Sequence, residues 1–148
     1  CSCSPCPDPH AVDNRDQWCL DADQDFSCDT AGSPPDGGAF TDFLVTLNTP
    51  PCFAGHCDWR LPSEDGQDPP FTGANELETI LDLSAPGCGG GSPCIDPIFG
   101  PTVADYYWSA TTFTTFPGLA WLVRFADGDV PANGKFYDNS VRAVRTGP

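Results

Sequence analysis

The stretch Tyr106-Tyr-Trp-Ser-Ala-Thr-Thr112, followed by Ala120-Trp-Leu-Val-Arg-Phe125, decides the fold class. Both segments are rich in aromatic and β-branched residues, which favour strands. Asp127-Gly128 follows the second segment after one residue, Ala126, and is typical of a tight hairpin turn. Ser140-Val-Arg-Ala-Val-Arg145 has the composition of a last strand. The C-terminal third is therefore predicted to form antiparallel strands.

Two short helices are predicted ahead of these strands. Apolar residues recur at helical spacing on one face of residues 39–48, namely Phe40, Phe43, Leu44 and Leu47. A second helix is predicted to begin at Asn75, which can cap the first turn while Glu78 reaches back. Helices followed by antiparallel strands define an α+β fold. Residues 1–36 are rich in Cys and Pro and are predicted to form an irregular arm, which leaves residues 37–148 as the domain.

Composition limits the classes of function. The 148 residues suit one domain with a real core. Twenty-one acids and six bases give a net charge of −15, which excludes nucleic acid as a partner because phosphate binding needs clustered Lys and Arg. The acids are either solvated surface charge or an attraction for cations such as calcium. No apolar run approaches the roughly 18–20 residues of a membrane span.

Nine cysteines indicate a disulfide framework and an oxidising compartment, because cytosolic proteins keep their thiols reduced. The spacings do not match zinc sites. Proximity along the chain favours four local bonds, although eight cysteines allow many other connectivities. The predicted pairs are Cys3–Cys6, Cys19–Cys28, Cys52–Cys57 and Cys88–Cys94.

Cys1 is left over from these pairs. Residue 1 is not Met and the chain contains no Met, which indicates that a signal peptide has been removed. In a bacterial lipoprotein that removal leaves a lipidated N-terminal cysteine, and the interpretation leaves eight cysteines for four bonds. The alternatives are that Cys1 pairs with Cys3 or Cys6, or that the chain is a fragment.

An acidic cluster between Cys19 and Cys28 resembles the start of a calcium loop. Asp21, Asp23 and Asp25 place carboxylates at alternate positions, and calcium prefers hard oxygen ligands. An EF-hand is excluded, because Phe26 stands where glycine is needed and no Glu closes the loop. A calcium site of another kind stays open beside solvated charge, and no cofactor is required.

Six segments, in order, resemble one bacterial domain family, the domain at the C-terminus of collagen-like bacterial adhesins. They are Asp58-Trp-Arg-Leu-Pro62, Asn75-Glu-Leu-Glu-Thr-Ile-Leu81, Cys94-Ile-Asp-Pro-Ile-Phe-Gly-Pro101, Tyr107-Trp-Ser-Ala-Thr111, Ala120-Trp121 with Phe125 and Asp127-Gly128, and Val141-Arg-Ala-Val-Arg145. The resemblance implies a C-type-lectin-like fold, similar to that of the formylglycine-generating enzyme. Two features depart from the family pattern. Residues 64–74 resemble an insertion, and an expected upstream Gly-Leu-x-Trp strand is either missing or supplied by another chain.

The matching residues have structural and functional interpretations. Trp59 and Trp108 are predicted to be core anchors, since each can bury on the order of 200 Å². Trp121 is either a core residue or an aromatic platform for a sugar ring. Three arginines are predicted to pair with acids such as Asp58 and Asp96, and binding of a ligand carboxylate is the alternative. These arginines are Arg60, Arg142 and Arg145.

A ligand is expected to meet the loops at residues 112–119 and 127–139. The Glu-Pro-Asn, Gln-Pro-Asp and Trp-Asn-Asp motifs of calcium-dependent lectins do not occur, although Tyr137-Asp138-Asn139 is a loose match to the last. The ligand class stays open among glycans, glycosaminoglycan-like polymers and proteins. The candidate ligand-binding residues are Trp121, Asp127, Asp129, Asn133, Asp138 and Asn139.

Enzymatic activity is not expected. Catalysis needs a base or nucleophile held by partners, whereas His10 lies in the Pro-rich arm and His56 in a small Cys-bounded loop. Ser92 has no Gly-x-Ser-x-Gly frame. The formylglycine-generating enzyme uses reactive cysteines near its C-terminus, and this chain has none after Cys94.

These observations favour an extracellular or bacterial surface module for recognition or adhesion, binding a glycan or protein ligand. The alternative is a structural subunit of an extracellular filament or coat, in which residues 1–36 dock on copies of the same chain. An acidic calcium-storing or cell-wall protein is a third interpretation. Contact with a membrane is expected only through a lipid on Cys1.

Overall fold

A computed structural model describes residues 14–20, 35–64 and 75–147. Five strands form one mixed sheet in the order β1-β5-β2-β3-β4. The β5–β2 pair is parallel and the other pairs are antiparallel. The strands are β1 Arg15–Asp16, β2 Tyr106–Thr112, β3 Leu119–Arg124, β4 Ala132–Gly134 and β5 Asn139–Ser140. With one short helical segment packed on the sheet, the α+β class is confirmed.

The antiparallel pairing of β2 with β3 and the turn at Asp127-Gly128 agree with the sequence prediction, whereas β4 was not predicted. The turn after β3 closes through a 2.8 Å hydrogen bond from the backbone N–H of Gly128 to Arg124 O. Gly128 has φ of 84°, and a Cβ there would lie 2.7 Å from Leu83 Cδ2, so both conformation and space require glycine.

The predicted last strand, residues 140–145, is wrong in extent. Only Asn139–Ser140 is a strand, and the chain then leaves the sheet. Val144 forms an isolated antiparallel bridge with Arg60, with backbone hydrogen bonds of 2.8 and 2.9 Å. The predicted strand is therefore divided between two partners: Ser140 pairs with Tyr107 in the sheet, and Val144 pairs with Arg60 outside it.

The first predicted helix is present at the predicted residues. It starts as a π-helical segment, Ala39–Phe43, and continues as α1, Leu44–Asn48. Phe43 and Leu47 are buried, as the apolar face requires. The second predicted helix is a single 3-10 turn, Glu78–Ile80. It ends because Leu81 adopts extended geometry and bridges to Ile95.

Two buried clusters cover opposite faces of the sheet. Neighbouring residues of a strand point to opposite faces, and Trp108 belongs to the first cluster whereas Tyr107 belongs to the second. The first cluster includes Trp18, Phe43, Leu47, Leu61, Trp108, Ala120 and Leu122. The second consists of Leu77, Ile95, Tyr107, Val123 and Phe125. Burial on both faces explains why β2 and β3 are apolar at consecutive positions. The predicted core role of Trp108 is confirmed, and Trp59 packs partly buried against the same cluster.

The segment from residue 14 to residue 20, which the sequence assigns to the arm, joins the sheet and the core. Reciprocal indole hydrogen bonds attach it to β2: Trp18 Nε1 donates to Ser109 O at 3.0 Å, and Trp108 Nε1 donates to Asp16 O at 2.8 Å. Its backbone also passes so close to Gly37 that a Cβ there would lie 2.3 Å from Gln17 O. The sheet edge beside β5 is thus occupied by the chain's own residues.

Two of the predicted disulfides are confirmed. Cys52–Cys57 and Cys88–Cys94 have Cα–Cα distances of 5.2 and 4.7 Å. Cys19 is also disulfide-bonded, but its predicted partner Cys28, the pair Cys3–Cys6 and the candidate lipidation site Cys1 lie outside the described residues. Within the described ranges, no helix combines the length and apolar character needed to cross a membrane.

Candidate ligand-binding surface

An aromatic patch formed by Phe113, Phe116 and Trp121 lies where β2 passes into β3. The ring centroids of Phe113 and Trp121 are 4.8 Å apart in an edge-to-face arrangement, and those of Phe113 and Phe116 are 5.9 Å apart. Phe116 is 61% exposed, while Phe113 and Trp121 are half-buried. The patch therefore presents aromatic surface to solvent from an ordered base.

The loop between the two strands is held by its own backbone. Phe113 N–H donates to Leu119 O at 2.9 Å, Phe116 N–H to Phe113 O at 3.1 Å, and Leu119 N–H to Phe116 O at 2.9 Å. Trp121 belongs to neither buried cluster. Between the two interpretations of Trp121, these contacts favour a surface platform over a core residue.

Asp127 and Asp129 lie together in the β3–β4 turn. Asp127 Oδ2 accepts from the Arg124 guanidinium at 2.9 Å, and Asp127 Oδ1 accepts from the backbone N–H of Asp129 at 3.2 Å. Asp127 therefore serves to close the turn. Arg124 is three residues beyond Trp121 on β3, which is roughly 10 Å along a strand. The two acids and the aromatic patch accordingly occupy different ends of β3.

The remaining predicted ligand residues do not gather around Trp121 either. Asn133 pairs with Ala120 across β3 and β4, so its side chain points to the opposite face from that of Trp121. Asn133 Oδ1 accepts from the N–H of Gly134 at 2.8 Å. Asp138 is exposed next to β5. Asn139 is only 4% exposed and pairs with Asp16, so its side chain does not face a ligand.

Arg60 pairs with an acid, as predicted, and the acid is Glu76. Arg60 Nη1 and Nη2 donate to the two carboxylate oxygens of Glu76 at 2.6 and 2.7 Å. The backbone N–H and the hydroxyl of Ser63 both donate to Glu76 Oε2 at 3.0 Å. The hydrogen bonds from Arg60, followed by those from Ser63, lower the pKa of Glu76 from 4.5 to about 2. Glu76 thus ties the chain on both sides of residues 65–74.

We expect Glu76→Gln to lower the free energy of unfolding by about 1–2 kcal/mol at pH 7, because a bidentate charge-assisted pair is lost while solvent screens part of it. A depressed folded pKa stabilises above the unfolded value, so this contribution should fade as the pH falls from 4.5 towards 2. Denaturant unfolding of the oxidised protein at several pH values measures both effects. The matched control is Asp127→Asn, which breaks the more exposed ion pair with Arg124. If Glu76→Gln and Asp127→Asn lowered the free energy of unfolding equally, the Arg60–Glu76 pair would contribute no more than an exposed ion pair.

The other two predicted arginines differ from each other. Arg145 lies 4.0 Å from Asp58, as expected for an ion pair. Arg142 donates instead to Thr102 Oγ1 at 2.6 Å and to Phe99 O at 3.4 Å. Asp96, one of the acids named as possible partners of these arginines, accepts from the backbone N–H of Ile98 at 2.9 Å.

The predicted calcium ligands Asp21, Asp23 and Asp25 lie outside the described residues. In the part of the chain that is described, no three His, Cys, Asp or Glu side chains come together in a way that could hold a metal ion. The calcium hypothesis therefore stays a prediction.

The fold and this surface define a small α+β domain with a doubly covered sheet, local disulfides and an exposed aromatic patch. A family model described as the Lcl C-terminal domain matches residues 17–145, and the chain belongs to that family. No curated protein and no solved structure matches the chain. The matched range begins beside Trp18, in agreement with its place in the core. Membership in the family confirms the domain resemblance, whereas the kinship with C-type lectins and the collagen-like context stay predictions.

Proposed function

We propose that the protein is an extracellular, non-catalytic recognition module of a bacterial surface or secreted protein, and that it binds a neutral glycan through the aromatic patch. The observation that carries this proposal is the exposure of Phe116 beside Phe113 and Trp121 on an ordered strand connection. Aromatic rings offer flat apolar faces, and nearby polar groups fix a ligand's orientation. Two exposed threonines, Thr114 and Thr115, lie in the same loop and offer hydroxyls.

Charge and disulfides support the other parts of the proposal. A net charge of −15 repels polyanions, which favours an uncharged ligand. The confirmed disulfides are consistent with an oxidising, extracellular location. The absence of catalysis is inferred from His56, the one histidine among the described residues, which is exposed in the loop that Cys52 and Cys57 close.

The proposal predicts that the purified, oxidised protein binds neutral oligosaccharides on a glycan array. Phe116→Ala and Trp121→Ala should each weaken binding roughly fivefold, since an aromatic contact is worth on the order of 1 kcal/mol. Titration calorimetry with the best array ligand measures the loss. The matched control is Val45→Ala, which removes an exposed apolar side chain from α1.

Three outcomes would overturn the glycan assignment. One is that no neutral glycan binds, and another is that both aromatic variants bind like Val45→Ala. The third is that sedimentation shows concentration-dependent assembly that is lost on removal of residues 1–13. That result would instead support the filament or coat subunit.

A further inference from the structure

Arg142 is set apart from the other arginines by its surroundings. All five arginines lie in the described ranges, and four of them face a carboxylate, as in Arg15–Asp105 at 3.0 Å, Arg60–Glu76 at 2.6 Å, Arg124–Asp127 at 2.9 Å and Arg145–Asp58 at 4.0 Å. Among the described residues, no carboxylate pairs with Arg142. In a chain with 21 acids and six bases, a guanidinium without an acidic neighbour is unexpected by composition alone.

The guanidinium of Arg142 is half-buried against aromatic rings. Its Cζ lies 5.9 Å from the ring centroid of Tyr107 and 6.0 Å from that of Phe125. Burial lowers the pKa of Arg142, and the neighbouring Tyr107 opposes this effect only in part. The group has five N–H donors, and two of them bond to described residues, at Thr102 Oγ1 and Phe99 O. The guanidinium is planar, and its paired N–H groups suit a planar anion such as a carboxylate.

The segment beside Arg142 exposes apolar side chains. Pro97–Phe99 form a 3-10 turn in which Ile98 is 83% exposed and Phe99 is 45% exposed. Asp96 fixes this turn, since its Oδ1 accepts from Ile98 N–H at 2.9 Å and its backbone oxygen accepts from Phe99 N–H at 3.1 Å. An ordered apolar surface therefore lies next to an uncompensated positive charge.

We propose that Arg142, Thr102 and the Pro97–Phe99 turn form a binding site for a monocarboxylate that carries an apolar group. Arg142 holds the carboxylate through paired N–H donors, and Ile98 and Phe99 contact the apolar group. A single negative charge suits the site better than a phosphate or sulfate cluster, because repulsion by the acidic chain grows with ligand charge.

This site is separate from the aromatic patch. Arg142 lies over Tyr107, near the start of β2, whereas Phe113 follows the end of that strand. Six residues of strand correspond to roughly 20 Å. The inference therefore does not depend on the proposed glycan binding and can fail or succeed without it.

The test uses N-acetyl-phenylalanine as the probe and N-acetyl-phenylalaninamide as its uncharged match. Both are titrated to millimolar concentration into the full, oxidised chain and followed by NMR. The acid should give saturable shifts at Arg142 and Thr102, and the amide should give none. Phenylpropionate is titrated as well, because it has the carboxylate and the ring of N-acetyl-phenylalanine but lacks the amide group. Comparing the two compounds therefore distinguishes a simple carboxylic acid from a peptide C-terminus.

Variants separate specific binding from overall charge. Arg142→Gln should weaken binding of the acid at least tenfold, whereas Arg124→Gln, which removes the same charge elsewhere, should change it less than twofold. Ile98→Ala, at an exposed position that does not endanger folding, should weaken the acid severalfold. Equal binding of acid and amide, equal loss in the two arginine variants, or absence of saturable shifts would each overturn the site. Trp121→Ala should leave this binding unchanged.

Discussion

Replacing Trp108 by Ala is expected to lower the free energy of unfolding by about 3–5 kcal/mol. Trp108 is 0% exposed and packs in the first cluster between β3 and α1. Its indole N–H also donates to Asp16 O at 2.8 Å, so truncation leaves a cavity and removes a buried hydrogen bond. Guanidinium unfolding of the oxidised protein, followed by circular dichroism, measures the loss.

Two further variants separate the causes of that loss. Trp108→Phe keeps most of the buried ring but removes the N–H donor, and we expect it to cost about 0.5–1.5 kcal/mol through the lost hydrogen bond to Asp16 O. Tyr137→Ala removes an aromatic side chain that is 50% exposed, and its effect should stay within about 0.5 kcal/mol. A loss below about 1 kcal/mol for Trp108→Ala would show that the N-terminal segment and β2 do not share one cooperative core.

The elements that sequence predicts well are those whose pattern is set locally. β2, β3 and the Asp127-Gly128 turn follow from aromatic and β-branched runs and from a glycine that the turn requires. Residues 140–145 carry a similar pattern, but their partners are distant: Ser140 pairs with Tyr107, and Val144 bridges to Arg60. The helix predicted at Asn75 is shortened for the same reason, because the bridge from Leu81 to Ile95 competes with further helical turns.

In the candidate site, too, the features set by neighbouring residues are predicted from sequence, and the contacts between distant residues are not. The sequence predicts Trp121 and the loop at residues 112–119 as part of the site, and the i, i+3 spacing of Phe113 and Phe116 within that loop also indicates the aromatic patch. The sequence does not show which polar candidates are available to a ligand. Asp127 and Asn133 accept short-range backbone hydrogen bonds, and composition does not reveal them. The pairing of Arg60 with Glu76 across 16 residues likewise needed the fold.

Asp16 combines burial with negative neighbours. Asp16 lies in β1 and is 5% exposed. A Cβ built on Gly38 would lie 2.6 Å from Asp16 Oδ1, so the carboxylate packs closely against that glycine. Burial first, and then the charges of Asp42 and Asp138, raise the pKa of Asp16 from 3.8 to about 6. At neutral pH the folded state therefore holds a carboxylate that would be more stable in the unfolded chain.

We expect Asp16→Asn to stabilise the protein at pH 7.5 by about 2–3 kcal/mol, because a pKa raised from 3.8 to about 6 corresponds to roughly that free energy. The folded state binds the proton more tightly, so the wild-type contribution is fully present below pH 3.8 and is lost as the pH rises through 6. Denaturant unfolding between pH 5 and 7.5 tests this window, which lies above the one in which Glu76 titrates.

The difference between variant and wild type isolates Asp16 from the many other acids. It should grow as the pH rises from 5 and level off above about 6, whereas Asp129→Asn, which removes the same charge from an exposed turn, should give a small and nearly constant difference. A fall in stability for Asp16→Asn at pH 7.5 would mean that the carboxylate is compensated in the native state. In that case the β1–β5 edge would owe its order to ionised Asp16, and the contacts of Trp18 and Trp108 alone would not hold it.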